Sequence, residues 1–251
     1  MLCEDDDVIG QAFYVMQHVE GRVIRDFSLP GMTKEGRRAH YEEMGDVLAR
    51  LHNVDFRAVG LEGYGREGGY CARQVKRWSS QYEASKTAEV PEMEKLIVWL
   101  GERMPETEET TIVHGDYRME NAIYRPDGTD ILAVIDWELG TLGDPFSDLA
   151  YNCLNYYVGD PERADITGVD LADYGIPDED AYVALYCRRR GLEPPPNWKF
   201  YLALSLFRLA AISQGVYKRG LDGNASSPDA MKRGAKARSL AEAGWRIAET
   251  A

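Results

Sequence analysis

The residues with the clearest chemical potential form the segment His-Gly-Asp-Tyr-Arg-Met-Glu-Asn at positions 114–121. This segment places Asp116 and Asn121 five positions apart, after an apolar lead-in at residues 111–113. A second apolar run, residues 131–135, ends at another carboxylate, Asp136. Phosphoryl transfer from ATP needs one carboxylate that accepts a hydroxyl proton, and an amide and a second carboxylate that hold magnesium. The three side chains match that requirement in type.

Each of these side chains also has an ordinary structural explanation. Asp116 and Asn121 are common turn formers, and Asp136 could cap the end of its strand. The order and spacing of all three favour the chemical interpretation instead. In that interpretation Asp116 orients a nucleophilic hydroxyl and accepts its proton, while Asn121 and Asp136 provide hard oxygen ligands for Mg²⁺. The histidines and cysteines are too scattered along the sequence to suggest a transition-metal site.

The composition is that of an ordinary soluble globular protein, long enough for a sizeable core. Of its 251 residues, 44% are hydrophobic and 28% are charged. The formal net charge of -13 argues against a nucleic acid or an anionic membrane as the partner. A small molecule with a hydroxyl group is the expected partner, and self-association into a homo-oligomer stays open.

The cysteine pattern and the hydropathy indicate a cytoplasmic location. The four cysteines are widely separated and form no Cys-x-x-Cys pair, so reduced thiols are expected rather than disulfides or a zinc site. No apolar run approaches the roughly 18 residues that a membrane span requires. No positively charged segment precedes an apolar stretch near Met1, as it would in a signal peptide.

Residue periodicity predicts an α+β fold that is mainly helical. Residues 8–16 read as one or two strands interrupted by Gly10, and the pattern becomes helical after Thr33, a candidate N-cap. Helices are predicted at about residues 34–52, 70–85, from Pro91 onward, and at 146–157, 178–190, 197–219 and 228–249, and strands at 111–113, 122–124 and 131–135. The chemical residues therefore lie at the ends of short central strands.

Three motifs together resemble a known enzyme family. They are His-Gly-Asp-x4-Asn at 114–121, Ile-Asp-Trp-Glu at 135–138, and Gly-Asp-Pro-x2-Asp-Leu-Ala at 143–150. This combination resembles the aminoglycoside phosphotransferase/choline kinase family over nearly the whole chain, and its first motif is related to the His-Arg-Asp-x4-Asn motif of protein kinases. The resemblance implies a protein-kinase-like fold, with ATP and Mg²⁺ in a cleft and a hydroxyl substrate over the helical C-terminal lobe.

Carried over by position, the resemblance assigns a role to each motif residue. Asp116 becomes the catalytic base, and Asn121 and Asp136 become the magnesium ligands. Asp148 supports the catalytic loop by accepting hydrogen bonds from its backbone or from His114. His114 itself is expected to hold the loop rather than to act as a second base.

The resemblance also implies where two lobes meet. Residues 1–20 form the hinge and a remnant of the small N-terminal β-lobe, and residues 21–251 form the large helical lobe with its central short β-hairpin. The hinge, whose backbone groups are expected to contact adenine, comprises Met16, Gln17, His18 and Val19.

The residues before this hinge lack the groups with which the family's small lobe binds ATP phosphates. Those groups are a phosphate-covering loop, a strand lysine and a helix glutamate that orients the lysine. Residues 1–15 contain no Lys or Arg, and Gly10 is their only glycine. A truncated or misassigned start is favoured over a natural short form, because the base and metal positions are all kept. Low or no kinase activity is expected of residues 1–251 alone.

Two groups of cationic residues bear on the acceptor. Arg73 and Arg77 lie close together on one predicted helix beside Trp78, and Arg208 interrupts an otherwise apolar helix. A buried arginine needs an anionic partner. That partner is either an internal Asp or Glu, or a phosphate or carboxylate of the substrate. In the second interpretation Arg73, Arg77 and Arg208 form an anion-binding wall, which suits an acyl-CoA-like compound better than a polycationic aminoglycoside.

A narrower resemblance points towards the same acceptor. Segments 13–22, 69–78 and 222–225 resemble the branch of the family related to the kinase-like domains of acyl-CoA dehydrogenase proteins. The leading hypothesis is thus an ATP- and magnesium-dependent small-molecule phosphotransferase. A non-catalytic pseudokinase that binds a metabolite or a partner is the alternative. A protein kinase is disfavoured, because Asp-Trp-Glu at 136–138 replaces Asp-Phe-Gly and no Ala-Pro-Glu segment follows.

Overall fold

Helices form most of the chain in the computed structural model, which describes residues 1–106, 108–159, 166–225 and 229–251. The helices are α1 (Lys34–His52), α2 (Tyr70–Ser85), α3 (Pro91–Glu102), α4 (Pro145–Asn152), α5 (Leu171–Tyr174), α6 (Glu179–Arg190), α7 (Trp198–Leu221), α8 (Ala230–Gly234) and α9 (Ala237–Glu249). The strands are β1 (Leu2–Cys3), β2 (Phe13–Tyr14), β3 (Arg22–Val23), β4 (Thr111–Val113), β5 (Ala122–Tyr124), β6 (Ile131–Val134) and β7 (Thr141–Gly143). The predicted mainly helical α+β class is confirmed, as are the predicted bounds of α1, α2, β4 and β5.

Two antiparallel strand pairs position the chemical residues. β5 pairs with β6, with Ala122 opposite Val134, and β3 pairs with the other edge of β5. This register brings the residue before β5 next to the residue after β6, and the Ile135 N–H donates to the Asn121 carbonyl at 2.9 Å. β4 pairs with β7, so the loop that follows β4 lies beside the chain that enters β7. The hairpin therefore brings Asn121 close to Asp136.

The central helix is α7, which packs against α2, α4, α8 and α9. Every residue from Phe200 to Phe207 is buried, a run of more than two turns, so buried side chains lie around much of the circumference of the helix there. By length and composition alone α7 could cross a membrane, but 67% of its most apolar window is buried inside the protein. Its apolar surface is thus core packing, as expected of a helix that other elements cover on most sides.

The N-terminal segment differs from its prediction. Strands form only in β1 and β2, which pair with each other, so residues 8–12 lie outside the sheet. The Asp5 carboxylate accepts a hydrogen bond from the Asp7 N–H at 3.0 Å, which stabilises a turn in place of an extended strand. Gly10 follows this turn with a φ of 89°, a conformation that glycine adopts without strain.

Two predicted helices end or break earlier than expected. The helix predicted at 146–157 is α-helical only as α4 and then tightens into a 3-10 turn. The helix predicted at 228–249 is two helices, α8 and α9, and Pro228 lies outside the described residues. Gly234 ends α8 at a close approach to α7, because a Cβ there would lie 2.5 Å from the Tyr217 side chain. The break follows from this tertiary contact, which the local periodicity did not reveal.

Thr33 caps α1 as predicted, and the cap can be tested. Its hydroxyl oxygen accepts a hydrogen bond from the Gly36 N–H at 3.1 Å. Thr33→Ala removes this acceptor, and we expect the free energy of unfolding in urea to fall by about 1 kcal/mol. Thr33→Ser keeps a hydroxyl acceptor and is the matched control. Equal losses in the two variants would show that the hydrogen bond does not stabilise the helix.

Candidate active site

One buried carboxylate holds the loop at residues 114–118, which we call the catalytic loop. Asp148, 2% exposed, lies in the first turn of α4 and accepts hydrogen bonds from the backbone N–H groups of His114 at 2.5 Å and Gly115 at 2.8 Å. Gly115 has a φ of 82°, and a Cβ there would lie 2.6 Å from the Leu139 carbonyl oxygen. A larger residue would therefore displace the loop. The backbone hydrogen bonds expected of Asp148 are present.

A buried histidine and a tyrosine extend the hydrogen bonding of Asp148. His52 places its Nε2 3.4 Å from the Asp148 carboxylate and its Nδ1 2.7 Å from the Tyr186 hydroxyl. Burial acts to raise the pKa of Asp148, but the His52 hydrogen bond and the backbone donors outweigh burial and hold that pKa below its ordinary value. Burial lowers the pKa of His52. At neutral pH the pair is therefore a carboxylate beside a neutral imidazole.

Both ring nitrogens of His114 are engaged, so this side chain is not free to act as a base. Nδ1 accepts a hydrogen bond from the Asp116 N–H at 3.2 Å, so Nε2 carries the proton and donates to the Ile135 carbonyl at 2.9 Å. The ring also packs against the Trp137 indole, with centroids 4.7 Å apart. His114 thus connects residues 114–116 to the end of β6 through hydrogen bonds.

The three residues predicted to carry the chemistry lie close together. The Asn121 amide nitrogen donates to the Asp116 carboxylate at 2.9 Å and to the Asp116 carbonyl at 2.8 Å, which leaves the amide oxygen for a ligand. Asp136 is exposed, and nothing in the described ranges hydrogen-bonds or ion-pairs with its carboxylate. Its φ of 69° lies in the left-handed region, which non-glycine residues adopt rarely and often at functional sites.

Arg118 and Tyr151 also flank Asp116, although sequence reasoning did not single them out. The Arg118 Nε lies 3.5 Å from the Asp116 carboxylate, and its Nη1 lies 3.3 Å from Glu120. Burial raises the pKa of Tyr151, and the Asp116 charge adds to the rise, so this phenol stays protonated. Arg118 stands two positions after Asp116, a signal within the motif itself. Tyr151 comes from α4 and has no local signal.

The donor set fits a magnesium ion that nucleotide phosphates and water also coordinate. The Asp136 carboxylate and the Asn121 amide oxygen are hard oxygen donors of the kind that Mg²⁺ prefers. Across the described residues there is no cluster of three or more His, Cys, Asp and Glu side chains that could hold a metal ion alone. Proteins usually bind Mg²⁺ through one or two carboxylates plus substrate phosphates.

A cavity of about 430 Å³ borders the catalytic loop at Gly115, and we call it the cationic cavity. Its lining includes the arginines 66, 73, 77 and 208 and one acidic residue, Glu138, whereas Asp116, Asn121 and Asp136 lie outside the lining. In the part of the chain that the structure describes, none of the four guanidinium groups lies within 4.0 Å of a carboxylate. The predicted residues Arg73, Arg77 and Arg208 thus line one cavity and form no ion pair with a carboxylate of the described residues.

The predicted hinge residues lie in a segment without regular secondary structure between β2 and β3. Met16, Gln17 and His18 are exposed, and Val19 is partly buried. This segment leads into β3, which pairs with β5 beside the chemical residues. The contact of the hinge with adenine stays a prediction, as does the lobe boundary at residue 20.

The fold and the site place the chain in the class of kinase-like phosphotransferases. Within that class, the chain belongs to the phosphotransferase enzyme family (APH), whose family model matches residues 1–192. The predicted resemblance to the aminoglycoside phosphotransferase/choline kinase family is therefore confirmed. Membership supports small-molecule phosphotransfer as the general activity of the chain.

Individual relatives and solved structures agree with this assignment. Acyl-CoA dehydrogenase family member 10 of Mus musculus is 46% identical over 249 residues, which cover 98% of this chain and 23% of that protein. The crystal structure of a proposed aminoglycoside phosphotransferase from Ralstonia eutropha JMP134 matches with a TM-score of 0.95 and 47% identity, and the match covers 100% of this chain and 77% of that one.

A solved structure with much lower sequence identity shares the fold. A choline kinase from Cryptosporidium parvum matches with a TM-score of 0.59 at 10% identity, over 91% of this chain and 69% of that one, which supports the fold alone. The chain spans between 23% and 33% of the length of the curated relatives it matches. What those whole proteins do is therefore not carried over to this chain.

Because Asp148 accepts two hydrogen bonds from the loop, replacing one of its carboxylate oxygens should lower the stability of the protein strongly. Asp148→Asn replaces one acceptor oxygen by an amide group that cannot accept from a loop N–H. We expect the free energy of unfolding in urea to fall by about 2 kcal/mol or more, because a buried N–H loses its partner.

The matched control is Asp178→Asn. Asp178 caps α6 at an exposed position by accepting a hydrogen bond from the Ala181 N–H at 2.8 Å. Asparagine caps helices as well as aspartate does, so the free energy of unfolding should change by less than about 0.5 kcal/mol. If Asp148→Asn lowered the free energy of unfolding no more than this control does, the hydrogen bonds to Asp148 would not stabilise the loop as proposed.

Proposed function

We propose that the chain transfers the γ-phosphoryl group of ATP to a hydroxyl of a small molecule, with Mg²⁺ as the cofactor. The observation that carries the proposal is the Asn121–Asp116 hydrogen bond at 2.9 Å beside the exposed, unpaired carboxylate of Asp136 in the described structure. This arrangement offers one proton acceptor and two oxygen donors at adjoining positions, which is the set that phosphoryl transfer requires.

In the proposed reaction the acceptor oxygen attacks the γ-phosphorus in line with the leaving group. A bond forms between that oxygen and phosphorus, the bond from phosphorus to the bridging β-phosphate oxygen breaks, and ADP leaves. The hydroxyl proton passes to the Asp116 carboxylate. Asn121 orients this carboxylate through its hydrogen bond, and Arg118 places positive charge 3.5 Å from it. Asn121 and Asp136 would hold Mg²⁺, which when bound neutralises charge on the phosphates.

The acceptor that we propose carries a phosphate or carboxylate group, as a hydroxyacyl-CoA-like compound does. The support is the cationic cavity, which is lined by four arginines and one glutamate, and in which no described carboxylate lies within 4.0 Å of a guanidinium group. A buried or partly buried guanidinium is stabilised by a paired anion. The same wall would repel a polycationic aminoglycoside. Several relatives are named as acyl-CoA dehydrogenase family members, which favours a thioester within this class.

We also propose that residues 1–251 alone transfer phosphate weakly. Residues 1–15 contain no Lys or Arg that could pair with ATP phosphates ahead of the hinge. The same observation favours the alternative function, a non-catalytic module that binds a metabolite or a partner. The two possibilities differ in whether bound nucleotide is turned over, so binding and transfer have to be measured separately.

Nucleotide binding should depend on Asp136 and on magnesium. At ATP concentrations of about a hundred times Kd, binding adds about 2.7 kcal/mol of stability. For a chain of this size that is a rise in Tm of about 5–10 °C. Asp136→Ala should lose most of this rise in the presence of magnesium. Each variant is compared with its own nucleotide-free Tm, because alanine at a left-handed φ also lowers the baseline.

The matched control is Asp127→Ala, in the exposed turn between β5 and β6, which should keep the wild-type rise. A wild-type protein that shows no magnesium-dependent rise would overturn the nucleotide proposal. A normal rise without any phosphate transfer would support the non-catalytic module instead.

The acceptor class is testable by transfer of label from γ-labelled ATP. We expect labelling of hydroxyacyl-CoA thioesters but not of choline or an aminoglycoside. Asp116→Asn should lower kcat by about a hundredfold or more, because the proton acceptor is lost. Asp127→Asn is the control. Labelled choline or aminoglycoside with unlabelled thioesters would exclude the anionic acceptor.

A further inference from the structure

Arg208 connects the cationic cavity to the catalytic loop. It lies near the middle of α7, the central helix, and its Nη2 donates to the Gly115 carbonyl at 2.6 Å. The guanidinium also lies over two aromatic rings, 5.1 Å from the Tyr151 centroid and 5.6 Å from the Trp78 centroid. These contacts fix the plane of the guanidinium between the loop and the cavity.

The hydrogen bonding of Arg208 is incomplete. Its Nε is buried and has no hydrogen-bond partner within the described residues. No carboxylate among those residues lies within 4.0 Å of the guanidinium, although the same side chain lines the cationic cavity. A partly buried guanidinium without a paired carboxylate is stabilised by an anion that approaches its accessible edge from the open side. The open side here is the cavity.

The other arginines of the cavity have different surroundings. Arg73 donates to the carbonyl groups of Arg66 and Gly68, so it holds the loop before α2. Arg77 is exposed and lies over the Trp78 ring at 5.0 Å. In the described structure, Arg208 is thus the one cavity arginine with a hydrogen bond to the catalytic loop. An anion in the cavity can therefore act on the loop through this side chain, in addition to any direct contact at Gly115, which also lines the cavity.

We propose that Arg208 is a positioning residue that couples an anion in the cationic cavity to the geometry of the catalytic loop. The anion pairs with the guanidinium on the cavity side and holds its plane, so that the opposite edge keeps the Gly115 carbonyl in place. Asp116 is the next residue in the chain, so the loop that carries the proposed base becomes more ordered. Binding energy from a remote anionic group would then increase kcat as well as lower KM.

This inference rests on the proposed function only in treating residues 114–118 as the catalytic loop. Its test therefore uses neither nucleotide nor transfer. The probe is inorganic pyrophosphate, added to metal-free protein in EDTA and compared with sodium chloride at equal ionic strength. The readout is hydrogen–deuterium exchange in peptides that cover residues 112–119, with pyrophosphate affinity measured by calorimetry.

In the wild-type protein, saturating pyrophosphate should slow exchange in the loop peptides by about fivefold or more. Arg208→Gln should bind pyrophosphate at least about tenfold more weakly and show no protection of the loop. Arg208→Lys keeps a charge but loses the planar fork that serves the cavity and the carbonyl together. The Arg208→Lys protein should bind pyrophosphate without slowing exchange in the loop. If Arg208→Gln does not fold, Arg208→Lys alone tests the coupling.

Arg77→Gln is the matched control, because Arg77 lines the cavity without a hydrogen bond to the loop. It should bind pyrophosphate more weakly but show full loop protection at saturation.

A merely structural role of Arg208 would change loop exchange equally with and without the anion. Wild-type protein that fails to bind pyrophosphate, or binds it without loop protection, would overturn the coupling, as would protection retained in both Arg208 variants. None of these outcomes tests Mg·ATP binding, so the nucleotide proposal is supported or overturned by its own experiment.

Discussion

The hydrogen bonds of one buried carboxylate, Asp148, decide the geometry of the candidate active site. Its two oxygens accept the N–H groups of His114 and Gly115, and His52 lies on its far side. A charge in such surroundings is tolerated only when its partners are in place, and a loop N–H without its acceptor would carry a similar cost. The carboxylate and the loop therefore stabilise each other. Because Asp148 belongs to α4, the position of α4 determines the position of the catalytic loop.

Other elements reach the same loop from different directions. The hairpin of β5 and β6 brings Asn121 against Asp116, and the His114 ring ties the loop to the Ile135 carbonyl. α7 contributes Arg208, which holds the Gly115 carbonyl. The loop is thus bound at its N–H groups, at a carbonyl and at a side chain. Support from separate elements limits how far it can shift without breaking a buried contact elsewhere.

The predictable parts of the structure are those that local forces determine. Thr33, followed by apolar residues at helical spacing, was enough to define α1, and the central strands followed from short apolar runs between polar residues. The break between α8 and α9 was missed, because it depends on the contact of Gly234 with Tyr217 in α7. His52 and Tyr186 were missed for the same reason. Their approach to Asp148 joins α1 and α6 to α4, which no local pattern records.

The candidate site raises an electrostatic question, because the proposed donor and the proposed acceptor are both anions. Two like charges 4 Å apart repel by about 4 kcal/mol at an effective dielectric constant of about 20. The chain as a whole, with a net charge of -13, would add to that repulsion. The cationic cavity is a local exception to this charge, and its lining includes Gly115 but none of Asp116, Asn121 and Asp136. The two proposed anions thus have separate sites, with Asn121 and Asp136 suited to a metal-bound polyphosphate and the cationic cavity suited to a free anionic group. With only one of the two sites, one anion would lack a compensating positive charge. The proposed reaction therefore depends on both sites and on the catalytic loop that connects them.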